Sequence, residues 1–597
     1  MQPDSRLRAS CCLVLLSASL LLPSSRVSGQ TSHPAAGRPV PGGPAANRLQ
    51  RVYERAIMAM KQDRLPEARS DFESLLKANP KSAELHDFLG YVMLRQSEYS
   101  QAIAEFKSAL QISPDFQQAR VHLAEALQVH GELPEAIKEF QRALDIGPLD
   151  VPARIAYAHA LSGTGSNEKA EDQLKSAIAM SPGNAGAYDD LGSVLMQQQK
   201  YQEAEEHFQK AVQLSPDRAP GHLHLGVLYF RQAKLEESAE QLRAAVQADP
   251  EMAAAHYYLG RALRSQEKNS EAAVELKKSL QLEPGNIDAE NELGLALQRE
   301  GDTGGAVAAF RRALTSSPNN ADLHNNLGLV LTQAAMMGQA VAEFEQALRL
   351  SPKDTGYRNN LGVAYLQMSD FDGAIREFER GLEVASSDPE LHYNLGLAFK
   401  LKDDLPRALV ELRKAAMLNP SLPDPPYTLG VTLWQMGDFA ASALELQKVI
   451  AIKPDYAEAY YTLGTVWKQT GKLPEAAQAL RTAIRLQPDF AGAHTTLAAV
   501  LKQQGNTREA DDENRIANDI RETKMGIQAA TFATNSGIKL LNAGDLSGAI
   551  SQFETAIKAY PSYIPAHQEL AIALERIKDR KKSLEETNIV EQLKKPR

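Results

Sequence analysis

The chain has 597 residues, a formal charge of −10 and an aromatic content of 6%. That charge argues against a nucleic-acid binder, which needs a basic face for the phosphates, so no nucleic-acid partner is expected. The abundance of Ala, Leu, Glu and Gln points to a helical protein.

The N-terminus reads as a targeting segment. Arg6 and Arg8 precede an apolar run from Cys11 to Leu22, Pro23 breaks it, and Val27-Ser28-Gly29 offers small residues for cleavage before Gln30. This is the layout of a secretory signal peptide over residues 1–29. The run is too short for a comfortable membrane span, so no integral span is expected after its removal. An uncleaved N-terminal anchor is the rival reading. Both cysteines lie in this segment, which leaves the mature chain without disulfides, thiolate metal sites or cysteine nucleophiles. Residues 30–48, rich in Pro, Gly and Ala, read as a flexible linker.

From about residue 49 the chain keeps a period of 34. Leu-Gly pairs end at Gly90, Gly192, Gly226, Gly260, Gly294, Gly328, Gly362, Gly396, Gly430 and Gly464, and prolines keep the same beat from Pro80 to Pro488. Counting Ala83 as slot 1, slot 8 is Gly or Ala, slot 20 is mostly Ala, and slot 24 is Phe or Leu, as in Phe106, Phe344 and Leu412. Each period predicts two helices. Slots 3, 7, 10 and 11 carry the apolar face of the first, a turn falls near slots 14–17, and the second ends at the proline, which cannot continue it. Small residues at slots 8 and 20 let the two backbones approach. One pair cannot bury its own apolar face, so the pairs must stack.

These features resemble the tetratricopeptide repeat (TPR) family across nearly the whole chain after the linker. The resemblance implies an all-α fold, a right-handed superhelical α-solenoid of about 16 stacked helix-turn-helix repeats. Fourteen repeats in register span 49–524, and a joint occupies 525–529. Two C-terminal repeats follow over 530–597, ending in a polar capping helix that contains Arg580, Lys581 and Lys582. Asn514 breaks the slot-24 pattern, and few helix breakers occur between Arg508 and Ala529, so a longer helix is expected there.

Catalytic signals are weak. His86, His222, His256, His324, His392 and His494 share slot 4, but one side chain per repeat does not build a metal cage. Tyr188 and Tyr460 fill the same slot, so a bulky packing position explains it better. Asp189 and Asp190, adjacent on a helix, cannot converge on one atom, and an acidic patch is expected instead. No HExxH, GxSxG or CxxC motif follows the N-terminal segment. A non-enzyme without metal or cofactor is expected, unless the joint near 505–529 holds an unrecognised site.

Binding residues are sought on the concave face, which the first helices line in this family. Slots 2, 5, 6, 9, 12 and 13 fall opposite the packed slots. Slot 5 carries Asn291, Asn325 and Asn359, then Tyr393, Tyr427 and Tyr461. Slot 6 carries Asn326, Asn360 and Asn394, slot 9 is apolar through Leu295, Leu329, Val363, Leu397 and Val431, and Trp434 stands at slot 12. Trp467, at slot 11, is expected in the core. An Asn amide both donates and accepts, so it can pair with a peptide backbone without reading side chains. The rows resemble the asparagine ladder of the O-GlcNAc transferases, whose superhelix holds extended polypeptide. The glycosyltransferase domain of those enzymes has no counterpart in this sequence. The asparagines could instead solvate the groove or bond a neighbouring repeat. The resemblance implies an interaction scaffold that binds other proteins or extended peptide segments; with the signal peptide over 1–29 it is expected to be periplasmic or secreted, in bacterial envelope or secretion-related assembly. The alternative is an accessory TPR subunit of a glycosyltransferase or polysaccharide export machine, with aromatic rings stacked on sugar.

Overall fold

The computed structural model describes residues 44–595. The expected signal segment and most of the expected linker lie outside the described residues. The first helix, Pro44–Lys61, begins inside the span expected as linker. The chain divides into two compact units, one up to Ser317 and one from Pro318 onward. All thirty-one elements among the described residues are α-helices.

Each unit is a stack of antiparallel helix pairs. The pair Ala83–Arg95 and Tyr99–Ile112 sets the pattern in the first unit, and Ala321–Gln333 with Met337–Leu350 repeats it in the second. First helices often start on a capping side chain: Asn320 Oδ1 accepts from the Leu323 amide at 3.2 Å, and Asp354 Oδ1 from that of Tyr357 at 3.0 Å. Such a cap satisfies one of the amides that a helix start leaves without a partner. The turn inside a pair needs one residue in the left-handed region. Gly301 supplies it at φ +91°, but Ala335 adopts it at +58° without being glycine.

The core follows the small and large slots. Phe106 and Phe310 in the first unit, and Phe344 and Phe378 in the second, are fully buried or nearly so. Each lies under the slot-8 glycine of its own pair, as Phe344 does under Gly328, where a Cβ would stand 2.6 Å from the ring. Where serine replaces alanine at slot 20 it closes the pair with a hydrogen bond. Ser238 Oγ donates to the Gly226 carbonyl at 2.8 Å, and Ser442 Oγ to that of Gly430 at 2.7 Å.

A single helix, Thr507–Asn542, runs through the interval expected as a joint. It packs as the second helix of one pair, after Ala491–Gln503, and as the first of the next, before Leu546–Ala559. No proline interrupts it, and Gly526 lets the Ala559 carbonyl approach, where a Cβ would stand 2.8 Å away. Asn514 is exposed on this helix. In the last helix, Arg580–Leu593, Val590 alone is buried. None of the described helices is long and apolar enough to cross a membrane.

Candidate functional site

The recurrent polar feature of the first helices is a diagonal bond. A slot-6 side chain reaches slot 5 of the preceding repeat, 35 residues earlier. In the second unit Asn360 Nδ2 donates to Asn325 Oδ1 at 2.8 Å, and Asn394 Nδ2 to Asn359 Oδ1 at 2.7 Å. Asn359 Nδ2 in turn donates to Glu390 Oε1 at 2.8 Å. The two rows read from the sequence are therefore cross-linked. Asn394 is buried, whereas Asn325, Asn326, Asn359 and Asn360 are half-buried. An amide has two donors and two lone pairs, so one or two such bonds orient it without exhausting it. Asn291 is half-buried on Ile287–Glu300 in the first unit.

The aromatic residues continue the row. Tyr393 Oη lies 3.5 Å from Thr428 Oγ1, on the same diagonal. The Tyr427 ring packs on Tyr456 with centroids 5.1 Å apart, and Tyr461 on Phe490 at 4.7 Å. Trp434 Nε1 donates to Gln469 Oε1 at 2.6 Å. Trp467, expected in the core, is half-buried, and both tryptophans pack against the cluster of Leu446, Leu463 and Val466. Trp467 also borders the cluster of Leu480, Leu497 and Leu501, so it is the more deeply engaged of the two with the core.

In the first unit the same diagonal carries charge. His122 Nδ1 lies 2.8 Å from Asp87 Oδ1, and His224 Nδ1 lies 2.8 Å from Asp189 Oδ1. Asp190 turns the other way, 3.0 Å from His159 Nε2. The adjacent aspartates thus serve opposite neighbours instead of forming an exposed patch, and Asp189 is buried. Burial pulls each of these imidazolium groups down, but the charge and hydrogen bond of its aspartate outweigh it and raise all three pKa values. Burial also pushes the neighbouring Glu125 carboxyl up. A raised histidine pKa stabilises the fold fully below its unfolded value, about 6.5, and the contribution is lost as pH rises through the folded value. The thermal midpoint of the chain is expected to fall over that window. Asp87→Asn should reduce this fall, because its half-buried His122 partner then prefers to be neutral. An unchanged pH profile in the variant would contradict the assignment.

Slot 4 also has a specific role. His324 Nδ1 lies 2.6 Å from Glu343 Oε2 while Nε2 lies 3.0 Å from the Pro318 carbonyl oxygen. His86, His256, His392, His494 and His567 repeat the arrangement. Arg358 makes the equivalent pair of bonds to Glu377 and the Pro352 carbonyl. The slot is a clamp between the second helix and the preceding loop. Bulk alone does not describe it, because slot 23 supplies an acceptor. No group of three His, Cys, Asp or Glu among the described residues is placed to hold a metal.

Comparison with known proteins fits this architecture. One tetratricopeptide repeat profile matches residues 53–115, 223–287, 291–355, 359–423 and 427–491, more than half of the chain. Two further tetratricopeptide repeat profiles match 93–153 and 184–251. Among curated proteins none matches. Similar solved structures include MamA, at 27% identity over 28% of this chain and 96% of that chain, with a TM-score of 0.27. YrrB, described as a TPR protein with an unusual peptide-binding site, shares 24% identity over 32% of this chain and 97% of its own, with a TM-score of 0.28. The Cut9-Hcn1 hetero-tetramer matches at 14% identity over 88% of this chain and 96% of that chain, with a TM-score of 0.35. With its 34-residue helix pairs and these profile matches, the chain belongs to the tetratricopeptide repeat family.

Proposed function

We propose that the chain is a non-catalytic interaction scaffold that holds extended polypeptide along the first helices of its repeats. The observation that carries this reading is the set of mutually bonded amides Asn325, Asn359, Asn360 and Asn394, beside Tyr393, Tyr427 and Tyr461. Amides fixed by one another lose little freedom on binding, so their remaining donors and acceptors are pre-organised for a peptide backbone. The aliphatic slot 9 between them, with Leu329 on the surface, suits side chains. The Tyr427 and Tyr461 rings already pack, tilted, on neighbouring rings, which supports peptide anchoring over sugar stacking.

The reading includes export. Arg6, Arg8 and the apolar run to Leu22 would deliver the repeats out of the cytoplasm, into an envelope or secretion-related assembly. One preparation tests both parts. Full-length precursor is expressed with its N-terminal segment, recovered from the extracytoplasmic fraction, and its first residue is determined; Gln30 is expected. The recovered protein is then titrated with a panel of fluorescent unstructured peptides. Asn325→Ala with Asn360→Ala should weaken binding about tenfold while the helical circular dichroism stays intact, as expected for losing one or two hydrogen bonds. A fully cytoplasmic chain would end the export reading. Peptide affinity unchanged in the variant, or retention of oligosaccharide alone, would end the amide reading.

A further inference from the structure

Seven residues beyond the tyrosine row, at slot 12 of the same helices, the second unit carries Lys400, Trp434, Lys468 and Lys502 in successive repeats. Slots 5, 9 and 12 recur at i, i+4 and i+7, so they share one helix face. None of these three lysines has a carboxylate within ion-pair distance among the described residues. Several lysines on the other faces of the unit are paired, among them Lys414 with Glu411 at 2.9 Å, Lys448 with Glu445 at 2.8 Å and Lys524 with Asp489 at 3.1 Å. Lys400 is half-buried, and burial holds its ammonium group below the usual lysine range with no carboxylate to offset it. Desolvating a cation without a counter-charge is costly, and an incoming anion would relieve the cost. In a chain of net charge −10, three such lysines aligned in one slot form a local basic stripe.

The opposite edge is acidic. Slot 2 of the same helices carries Glu390, Asp424 and Glu458, all exposed. Ten residues separate slots 2 and 12, about 15 Å along each helix. Across its width the face thus runs from acids through tyrosines and aliphatics to lysines and tryptophan. A uniform polyanion would meet the acidic edge. A polypeptide can point carboxylates to one side and other groups to the other.

We propose that this face of the second unit takes an extended acidic polypeptide segment whose carboxylates meet Lys400, Lys468 and Lys502 and whose apolar side chain meets Trp434. This rests on the peptide-binding reading above and names its ligand class. Neighbouring packed helices stand roughly 8–10 Å apart. A polyproline II chain has three residues per turn and a rise of about 3.1 Å, so every third side chain returns to one side after about 9 Å. The matching register is acid, two spacers, apolar, two spacers, acid, two spacers, acid.

The test uses the full chain and a fluorescein-labelled peptide EAPLAPEAPEAP, with its glutamine counterpart QAPLAPQAPQAP and heparin as comparators. The glutamate peptide is expected to bind roughly tenfold more tightly than the glutamine peptide, through three partly exposed ion pairs. The advantage should fade as salt is raised through the screening range. K400E, K468E and K502E together should abolish it, while K448E, on a lysine already paired elsewhere, should not. Equal binding of the two peptides overturns the charge rule and leaves the peptide-binding reading standing. If neither peptide binds, both fall. Heparin binding that depends on the three lysines, with no peptide binding, assigns the row to a polyanion and overturns the proposal.

Discussion

Phe344→Ala is expected to destabilise its repeat by about 3–5 kcal/mol, the cost of emptying a core aromatic site. The ring is 1% exposed and fills the space that Gly328 leaves beside it. Phe344→Leu should cost less than about 1.5 kcal/mol, because Leu412, Leu446 and Leu480 fill the same slot under Gly396, Gly430 and Gly464. The reciprocal change makes the same point. Gly328→Leu should overpack the pair by about 1–3 kcal/mol, while Gly328→Ala should be milder, since Ala124 already stands at slot 8 with Phe140 buried at slot 24. Each repeat of a solenoid contacts its neighbours, so the damage should be local. Hydrogen exchange followed by mass spectrometry is expected to show lost protection over 321–350 and unchanged protection over 83–112. Trp434 and Trp467 lie repeats beyond 321–350, so their fluorescence is expected to stay unchanged. Uniform loss along the chain would contradict the nearest-neighbour picture, and no loss at all would contradict the packing of Phe344.

That packing is legible in the sequence, because it repeats within one period. Slots 8, 20 and 24 face one another inside a single helix pair, and their small and large residues recur every 34 residues. The diagonal bonds are harder to read. They depend on how far one first helix is offset along its neighbour, and no single-repeat pattern encodes that offset. A signal is nonetheless present, because Asp87 and His122, Asp189 and His224, and Asn325 and Asn360 are complementary pairs at the same spacing of 35. Taking each slot as a row hides it. The left-handed turn at Ala335 leaves no mark, since glycine occupies that position in some repeats and not in others. The long helix near residue 525 follows from its missing breakers. Its service to two pairs at once does not, because that depends on packing against Ala559 and Tyr560.

The slot-4 clamp yields the other large effect. His392 is 5% exposed, with Nδ1 2.6 Å from Glu411 Oε2 and Nε2 3.1 Å from the Ser386 carbonyl oxygen. Both partners are acceptors, and the ring bridges them. His392→Ala removes that bridge and should cost about 1.5–3 kcal/mol, as for a hydrogen bond to a charged group. Bulk and hydrogen bonding can be separated by two further variants. His392→Phe keeps a ring of similar size but offers no donor, so it should recover little of the loss. His392→Arg should recover most of it, because Arg358 occupies the same slot and donates both to Glu377 at 2.8 Å and to the Pro352 carbonyl at 2.7 Å. Urea unfolding followed through Trp434 and Trp467 would read the local stability. Tyr188 and Tyr460 fill the same slot, and bulk alone would give the opposite result. If phenylalanine restores stability and arginine does not, the residue is a spacer and the clamp is not what holds the second helix to the preceding loop.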